Sequence, residues 1–366
     1  MLEQRIAALE GGTGAVCTAS GMSALFVAFI TLCSAGDHIV SAAQIYGSTA
    51  TLLRYTLKRF DIGCTFVAIN DPDALKEAIQ ENTKLVFCES IGNPGLEVSD
   101  LPAISNIAHE RGLPVVVDAT FATPSLCRPF EHGADIIVHS ITKWMGGHGV
   151  AIGGVIVDGG AFDWGKYGKH PTLTEPYEPF HGISFWEEYG PSALVMRIRS
   201  ESMRDLGPSM SPHTAFLLLQ GIETLSLRMQ QHVENAKQLT RWLLEQGLVT
   251  WVNHPDLPDN PTHRVAERLF PKGAGSILCF GVKGGRDGGG AFMDALVLSS
   301  NLANVGDSRT LVLHPASTTH SRLSDEEMKA TGTSPDLIRV SVGIENIADI
   351  IKDFKGGLKA VERLLK

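Results

Sequence analysis

The chain has 366 residues, of which 43% are hydrophobic and 19% charged, and carries a formal net charge of −9. That length exceeds what one hydrophobic core usually serves, so two packed lobes are expected. The acidic balance and the lack of a basic run argue against a nucleic-acid-binding surface, and no apolar stretch approaches the roughly 18 consecutive residues needed to span a membrane.

The opening MLEQRIAALEGG interleaves charges with Leu, Ile and Ala. This predicts an amphipathic helix and lacks the basic-then-apolar layout of a signal peptide, so a cytoplasmic address is expected. From residue 15 to 157 short apolar runs then alternate with helical patterns: GAVCTAS before 22–33, DHIVSA before 48–59, CTFVAI before 73–80, KLVFCES before 101–111, then LPVVVDAT, ADIIVHS and GGVIVD. Such alternation predicts an α/β fold, a mainly parallel sheet covered by helices on both faces. Ligands of such sheets sit outside the carboxyl ends of the strands.

Residues 158–191 are rich in Gly, Pro, His and aromatics with little periodicity, which predicts a long surface excursion. Residues 192–246 turn helical, with Phe216, Leu217, Leu219, Ile222 and Leu225 at helical spacing, and lead to a second lobe. The run GVKGGRDGGG at 281–290 predicts a loop between the strand SILCFGV and the helix AFMDALVLSS. Cys17, Cys33, Cys64, Cys88, Cys127 and Cys279 stand singly, without a CxxC pair or zinc-spaced histidines, and are expected to be reduced core thiols.

Candidate chemistry gathers at strand ends. His139-Ser140-Ile141-Thr142-Lys143 closes the run ADIIV. A lysine there, in a partly desolvated cleft, has an amine freed for imine formation; alone, the same pattern describes a snorkelling surface lysine. Ser140 and Thr142 offer hydroxyls to a phosphate. Asp118 follows five apolar residues and calls for a cationic partner such as a protonated ring nitrogen, unless it merely caps the next helix. Ser20-Gly21-Met22 opens a helix whose first amides could face an anion. Tyr46 offers a ring for stacking on a flat cofactor, and Glu89 to Asn93 provide an amide near the sheet edge or a plain turn.

The segments SGMSA, YGST, ESIGNP, VVVDATFATP, HSITKWMGGHG, DSRTLVLHPASTTHS and IRVSVGIEN resemble the Cys/Met-metabolism family of fold-type I pyridoxal-phosphate enzymes over nearly the whole chain. The resemblance implies pyridoxal 5'-phosphate as cofactor, no metal, a large cofactor-binding domain over 1–220 and a smaller α+β carboxyl-terminal domain over 221–366. It makes Lys143 the lysine that carries the cofactor, and Gly21, Met22, Ser140 and Thr142 the phosphate site. Tyr46 becomes the stacking ring, Asp118 the ring-nitrogen partner and Asn93 a contact to the ring hydroxyl. Arg339 matches the arginine that grips the substrate α-carboxylate, a task suited to a bidentate guanidinium, and Asn304 lies near it.

Within the family the excursion and NLANVGDSRTLVLHPASTTHS are similar to the O-acetylhomoserine sulfhydrylases, and Ser48 stands where γ-lyases usually have Cys. Small-molecule substrates are implied: O-acetylhomoserine and sulfide or a thiol, exchanged to give homocysteine. Lys143 would move the α-proton, with Tyr46 a proton shuttle at Cγ, and the assembly would be a homo-oligomer, a dimer of dimers. Alternatives are a methionine or cystathionine γ-lyase, a cystathionine γ-synthase, or a truncated cofactor-binding chain with little turnover. The last is raised by the family's amino-terminal Tyr-Ser-Arg segment, which is expected ahead of the first helix and is absent from this sequence. Two other readings are weak. Gly160 to Lys166 match a P-loop until Tyr167 stands where Ser or Thr is required, and His314 and His320 lack a usual metal spacing.

Overall fold

A computed structural model describes residues 1–318 and 334–366. The chain divides into two compact units. The first comprises 1–93, 98–146 and 150–223, and the second comprises 94–97, 147–149 and 224–366.

The first unit is built on a seven-stranded sheet. Its strands are β1 (Gly14–Thr18), β2 (His38–Ala42), β3 (Gly63–Val67), β4 (Thr83–Glu89), β5 (Val115–Asp118), β6 (Ile136–Ser140) and β7 (Gly154–Asp158), in the spatial order β1-β7-β6-β5-β4-β2-β3. The pairs from β3 through β6 are all parallel. Strand β7 runs antiparallel to both of its neighbours, which a run such as GGVIVD cannot disclose because strand periodicity carries no direction. The central strands are continuous Val, Ile and Leu runs because both faces are covered; Leu85 to Cys88 and Val115 to Val117 are all sealed from solvent.

Helix α1 (Leu2–Glu10) ends on Gly11, whose φ of 83° lies in the left-handed region that glycine adopts without strain. Helix α2 (Gly21–Leu32) is apolar almost all round and packs on β6 and β7, as a buried helix must. A helical stretch begins with α3 (Gly47–Thr51) and continues in π and 3-10 geometry to Phe60. Helices α4 (Pro72–Ala78) and α5 (Leu101–Glu110) start on Asp71 and Asp100, whose side chains accept first-turn amides.

The 158–191 stretch is less superficial than expected. Trp164, His170, Leu173 and Phe185 are buried, and Phe162, Trp164 and His170 pack edge to face or tilted within 6 Å of one another. The Arg197 guanidinium lies 3.8 Å from the Tyr177 ring centroid. Aromatic cross-packing replaces periodicity here, which is why neither a helical nor a strand pattern was legible.

The second unit carries helix α6 (Leu225–Leu244) and a five-stranded sheet of β8 (Val249–Asn253), β9 (Ile277–Val282), β10 (Ser300–Asn301), β11 (Leu311–Leu313) and β12 (Leu337–Ser341), ordered β10-β11-β12-β9-β8. All its pairs are antiparallel except β10 with β11. Phe280, Phe292 and Phe354 pack edge to face or tilted in its core at centroid distances of 5.3 to 6.0 Å.

One expectation fails in this unit. The glycine run assigned to a loop lies mostly in helix α7 (Gly285–Asp294), capped by Gly284 at φ 91°. The glycines answer to packing. A Cβ on Gly288 would sit 2.1 Å from the Lys283 carbonyl oxygen, and one on Gly289 would sit 2.3 Å from His314 Nε2. The six cysteines are free, and all but the half-buried Cys64 are buried. No helix among the described residues is long and apolar enough to cross a membrane.

Candidate active site

Four neighbouring parallel strands bring the candidate residues to one sheet edge. Tyr46 follows β2, Asn93 follows β4, Asp118 ends β5 and Ser140 ends β6. The amino end of α2 joins them through a close approach: a Cβ on Gly21 would lie 2.6 Å from Ser140 Cβ, so only glycine lets the helix start abut the end of β6. Ser20 and Ser23 cap that helix reciprocally, at 2.9 and 3.1 Å. The first-turn amides of Gly21 and Met22 have no intrahelical acceptor by helix geometry and carry the positive end of the dipole.

The lysine turn is fixed by its neighbours. Lys143 donates its backbone amide to the Ser140 carbonyl at 3.1 Å, and Trp144 behind it is buried, edge-on to Phe121 at 5.3 Å. Lys143 itself stays half-buried. Thr142 proves more engaged than its residue type suggested. Its hydroxyl donates to the Gly153 carbonyl at 3.2 Å and accepts the Gly153 amide at 3.0 Å, so its single hydrogen is committed to closing the loop. A phosphate would draw first on Ser140 and the α2 amides.

Two carboxyls stand side by side at this edge. Asp118 accepts the Thr120 amide at 2.9 Å and retains some solvent access, yet desolvation pushes its pKa up, opposed by the Thr120 hydrogen bonds and by the charge of His139. Glu89 pairs with Asp118 in the sheet register and accepts the Tyr46 amide at 2.6 Å. Thr120 also accepts the Ser140 amide at 2.8 Å, linking the ends of β5 and β6. Thr120 and the role of Glu89 are not legible in the sequence, where the only signal is their nearness to Asp118 and Asn93. Tyr46 is 48% exposed, with its ring open to a ligand.

These residues fit pyridoxal phosphate. A desolvated carboxyl at a strand end is eased by a cationic ring nitrogen, and a glycine-lined helix start suits a phosphate.

In the second unit Arg339 lies half-buried on β12, in register with Leu313 and Cys279, and Asn304 lies in the loop before β11. His314 is committed within the protein. Its Nδ1 pairs with the Ser317 hydroxyl and its Nε2 with the Pro335 carbonyl, both at 2.9 Å; His320 lies outside the described residues.

The fold is that of the fold-type I pyridoxal-phosphate enzymes, a mainly parallel sheet with flanking helices. The model of the Cys/Met metabolism PLP-dependent enzymes matches residues 1–359, and the chain belongs to that family. It is 50% identical to a homocysteine synthase of Schizosaccharomyces pombe over 98% of this chain and 84% of that protein. It is also 46% identical to O-acetyl-L-homoserine sulfhydrylase 1 of Thermus thermophilus, over 98% of this chain and 85% of that one. A crystal structure assigned as an O-acetylhomoserine (thiol)-lyase of Campylobacter jejuni, containing pyridoxyl-lysine monophosphate, superposes with a TM-score of 0.93. It is 38% identical, and the match covers 99% of this chain and 85% of that one.

Proposed function

We propose that the chain catalyses γ-replacement on O-acetylhomoserine, with sulfide displacing acetate to give homocysteine. The observation that carries this reading is the 50% identity, over nearly the whole chain, to a relative named for homocysteine synthesis. When bound, pyridoxal phosphate supplies an electron-poor ring that accepts the negative charge left at the amino carbon of the substrate.

The chain's own residues divide the remaining work. Asp118 sets a carboxylate against the ring nitrogen, Asn93 meets the ring hydroxyl and Tyr46 stacks on the ring. Gly21, Met22 and Ser140 hold the phosphate, with Thr142 bracing the loop beside them. Lys143 binds the cofactor through its amine and moves the proton at Cα. The Tyr46 phenol serves as proton carrier near Cγ, where acetate leaves and sulfide enters. Arg339 clamps the substrate α-carboxylate bidentately, with Asn304 nearby.

Residues 1–220 form the cofactor domain and 221–366 the smaller domain in this reading, and the chain works as a cytoplasmic homo-oligomer, a dimer of dimers. The exposed apolar side chains of Tyr55, Phe60, Val150 and Ile152 support a covering partner copy, and the free cysteines support a reducing compartment.

The test is to supply the purified protein with pyridoxal phosphate and O-acetylhomoserine, with and without sulfide, and to identify the products. Sulfide-dependent homocysteine is expected; 2-oxobutyrate formed without sulfide would make the enzyme a lyase. Borohydride treatment of the loaded protein should place the pyridoxyl mass on the peptide containing Lys143 and nowhere in Lys143→Ala.

A further inference from the structure

Glu89 is the last residue of β4, which lies between β2 and β5 in the sheet. It is 6% exposed. Its Oε1 accepts the Tyr46 amide at 2.6 Å, and the backbone amide of Asn93 also donates to its carboxyl. Its own carbonyl accepts the Ser99 hydroxyl at 2.7 Å, anchoring the strand end from behind. One carboxyl therefore ties the loop after β2 to the loop after β4, and these loops carry the stacking ring and the ring-hydroxyl contact of the proposed site.

We propose that Glu89 is a positioning residue of the active site, whose carboxyl is the shared acceptor that holds the backbones of Tyr46 and Asn93 in place beside Asp118. The inference rests on the cofactor reading above and adds to it a residue that acts through Tyr46 and Asn93.

Its physical basis separates it from Asp118. The two carboxyls are register partners, and adjacent carboxyls in a desolvated site do not both ionise cheaply. Asp118 has the Thr120 donors and the charge of His139 in its favour. Burial and the charge of Asp118 push Glu89 well above the usual carboxylate range, against the pull of the Tyr46 and Asn93 amides. Both carboxyls are held above the usual carboxylate range, Glu89 well above it, so the acceptor role assigned to Glu89 does not call for a charge. Glutamine keeps the length and an acceptor oxygen without a charge, whereas aspartate keeps a carboxyl but withdraws it from both amides.

The experiment compares wild type with E89Q, E89D and E89A. Pyridoxal phosphate is titrated into each full-length apoprotein by absorbance, and the bound cofactor's spectrum is then followed against pH. E89Q should bind within about threefold of wild type with an unchanged pH profile, while E89D and E89A should bind roughly tenfold or more weakly, the loss expected when two hydrogen bonds to a buried carboxyl fail. Should E89A not fold, the order of E89Q and E89D decides alone, because a role in charge would favour the aspartate. Variants that all bind alike, or E89D binding as tightly as E89Q, overturn the proposal and leave the cofactor reading intact. Failure of the wild type itself to bind would overturn both.

Discussion

Glu10 of α1 and His139 of β6 meet at 2.6 Å with both side chains almost wholly withdrawn from solvent. One further polar atom on each, Glu10 Oε2 and His139 Nδ1, has no protein partner. The pair pins the first helix to the strand that leads into the lysine turn. Removing one member leaves the other without its hydrogen bond in a dry site, so Glu10→Ala should destabilise the protein by about 1–3 kcal/mol. Urea unfolding of Glu10→Ala, His139→Ala and the double variant checks this; the double variant should lose clearly less than the sum of the singles.

Gly21→Ala tests the contact between helix start and strand end. The added methyl would lie 2.6 Å from Ser140 Cβ and 2.9 Å from Ser140 Cα, so backbone must shift. A destabilisation of roughly 1–3 kcal/mol is expected. Because the displaced amides are those assigned to phosphate, pyridoxal phosphate binding should also weaken, by about tenfold. A titration that shows undiminished affinity would remove Gly21 from the phosphate site.

Asp158, at the end of β7, should make stability depend on pH. Its carboxyl is buried, accepts the Gly160 amide at 2.9 Å and feels the charge of Asp135; burial is the largest cause of a pKa raised from 3.8 to about 7. Between those values the folded chain holds a proton that the unfolded chain has released. Stability therefore falls as pH rises through that window, by an amount on the order of a few kcal/mol. Asp158→Asn should flatten this slope in urea melts collected from pH 4 to about 8.

Arg339→Lys addresses the substrate clamp. A lysine keeps the charge but not the planar fork, so KM for O-acetylhomoserine should rise by about tenfold or more while pyridoxal phosphate still binds. Steady-state kinetics alongside a cofactor titration separate the two effects. An unchanged KM would show that the carboxylate is held elsewhere.

The strand and helix alternation was legible because parallel strands covered on both faces must be continuous apolar runs, and the residues that end them stand out as polar breaks. Lys143 and Asp118 were visible on that ground. Glu89 was not, because its partners are backbone amides, one of them 43 residues away, and an amide bond leaves no trace in residue type. Thr142 offers a free donor by residue type alone, and its commitment to Gly153 arises only when the loop closes. The glycine run before Ala291 misled for a related reason. Glycine signals both looseness and close packing, and only the contact with His314 tells them apart.

The pairing of β1 with β7 sets an order of events during synthesis. Gly14 pairs with Asp158 and Thr18 with Gly154, so β1 takes its place in the sheet only after β7, the last strand of that sheet, has been made. At the usual pace of translation that is a wait of roughly ten seconds or more. Strands β2 to β6 find their neighbours within shorter spans of chain and can assemble sooner. Until β7 has been made, β1 waits unpaired, with Ala15 and Val16 lacking the cover they have in the folded sheet.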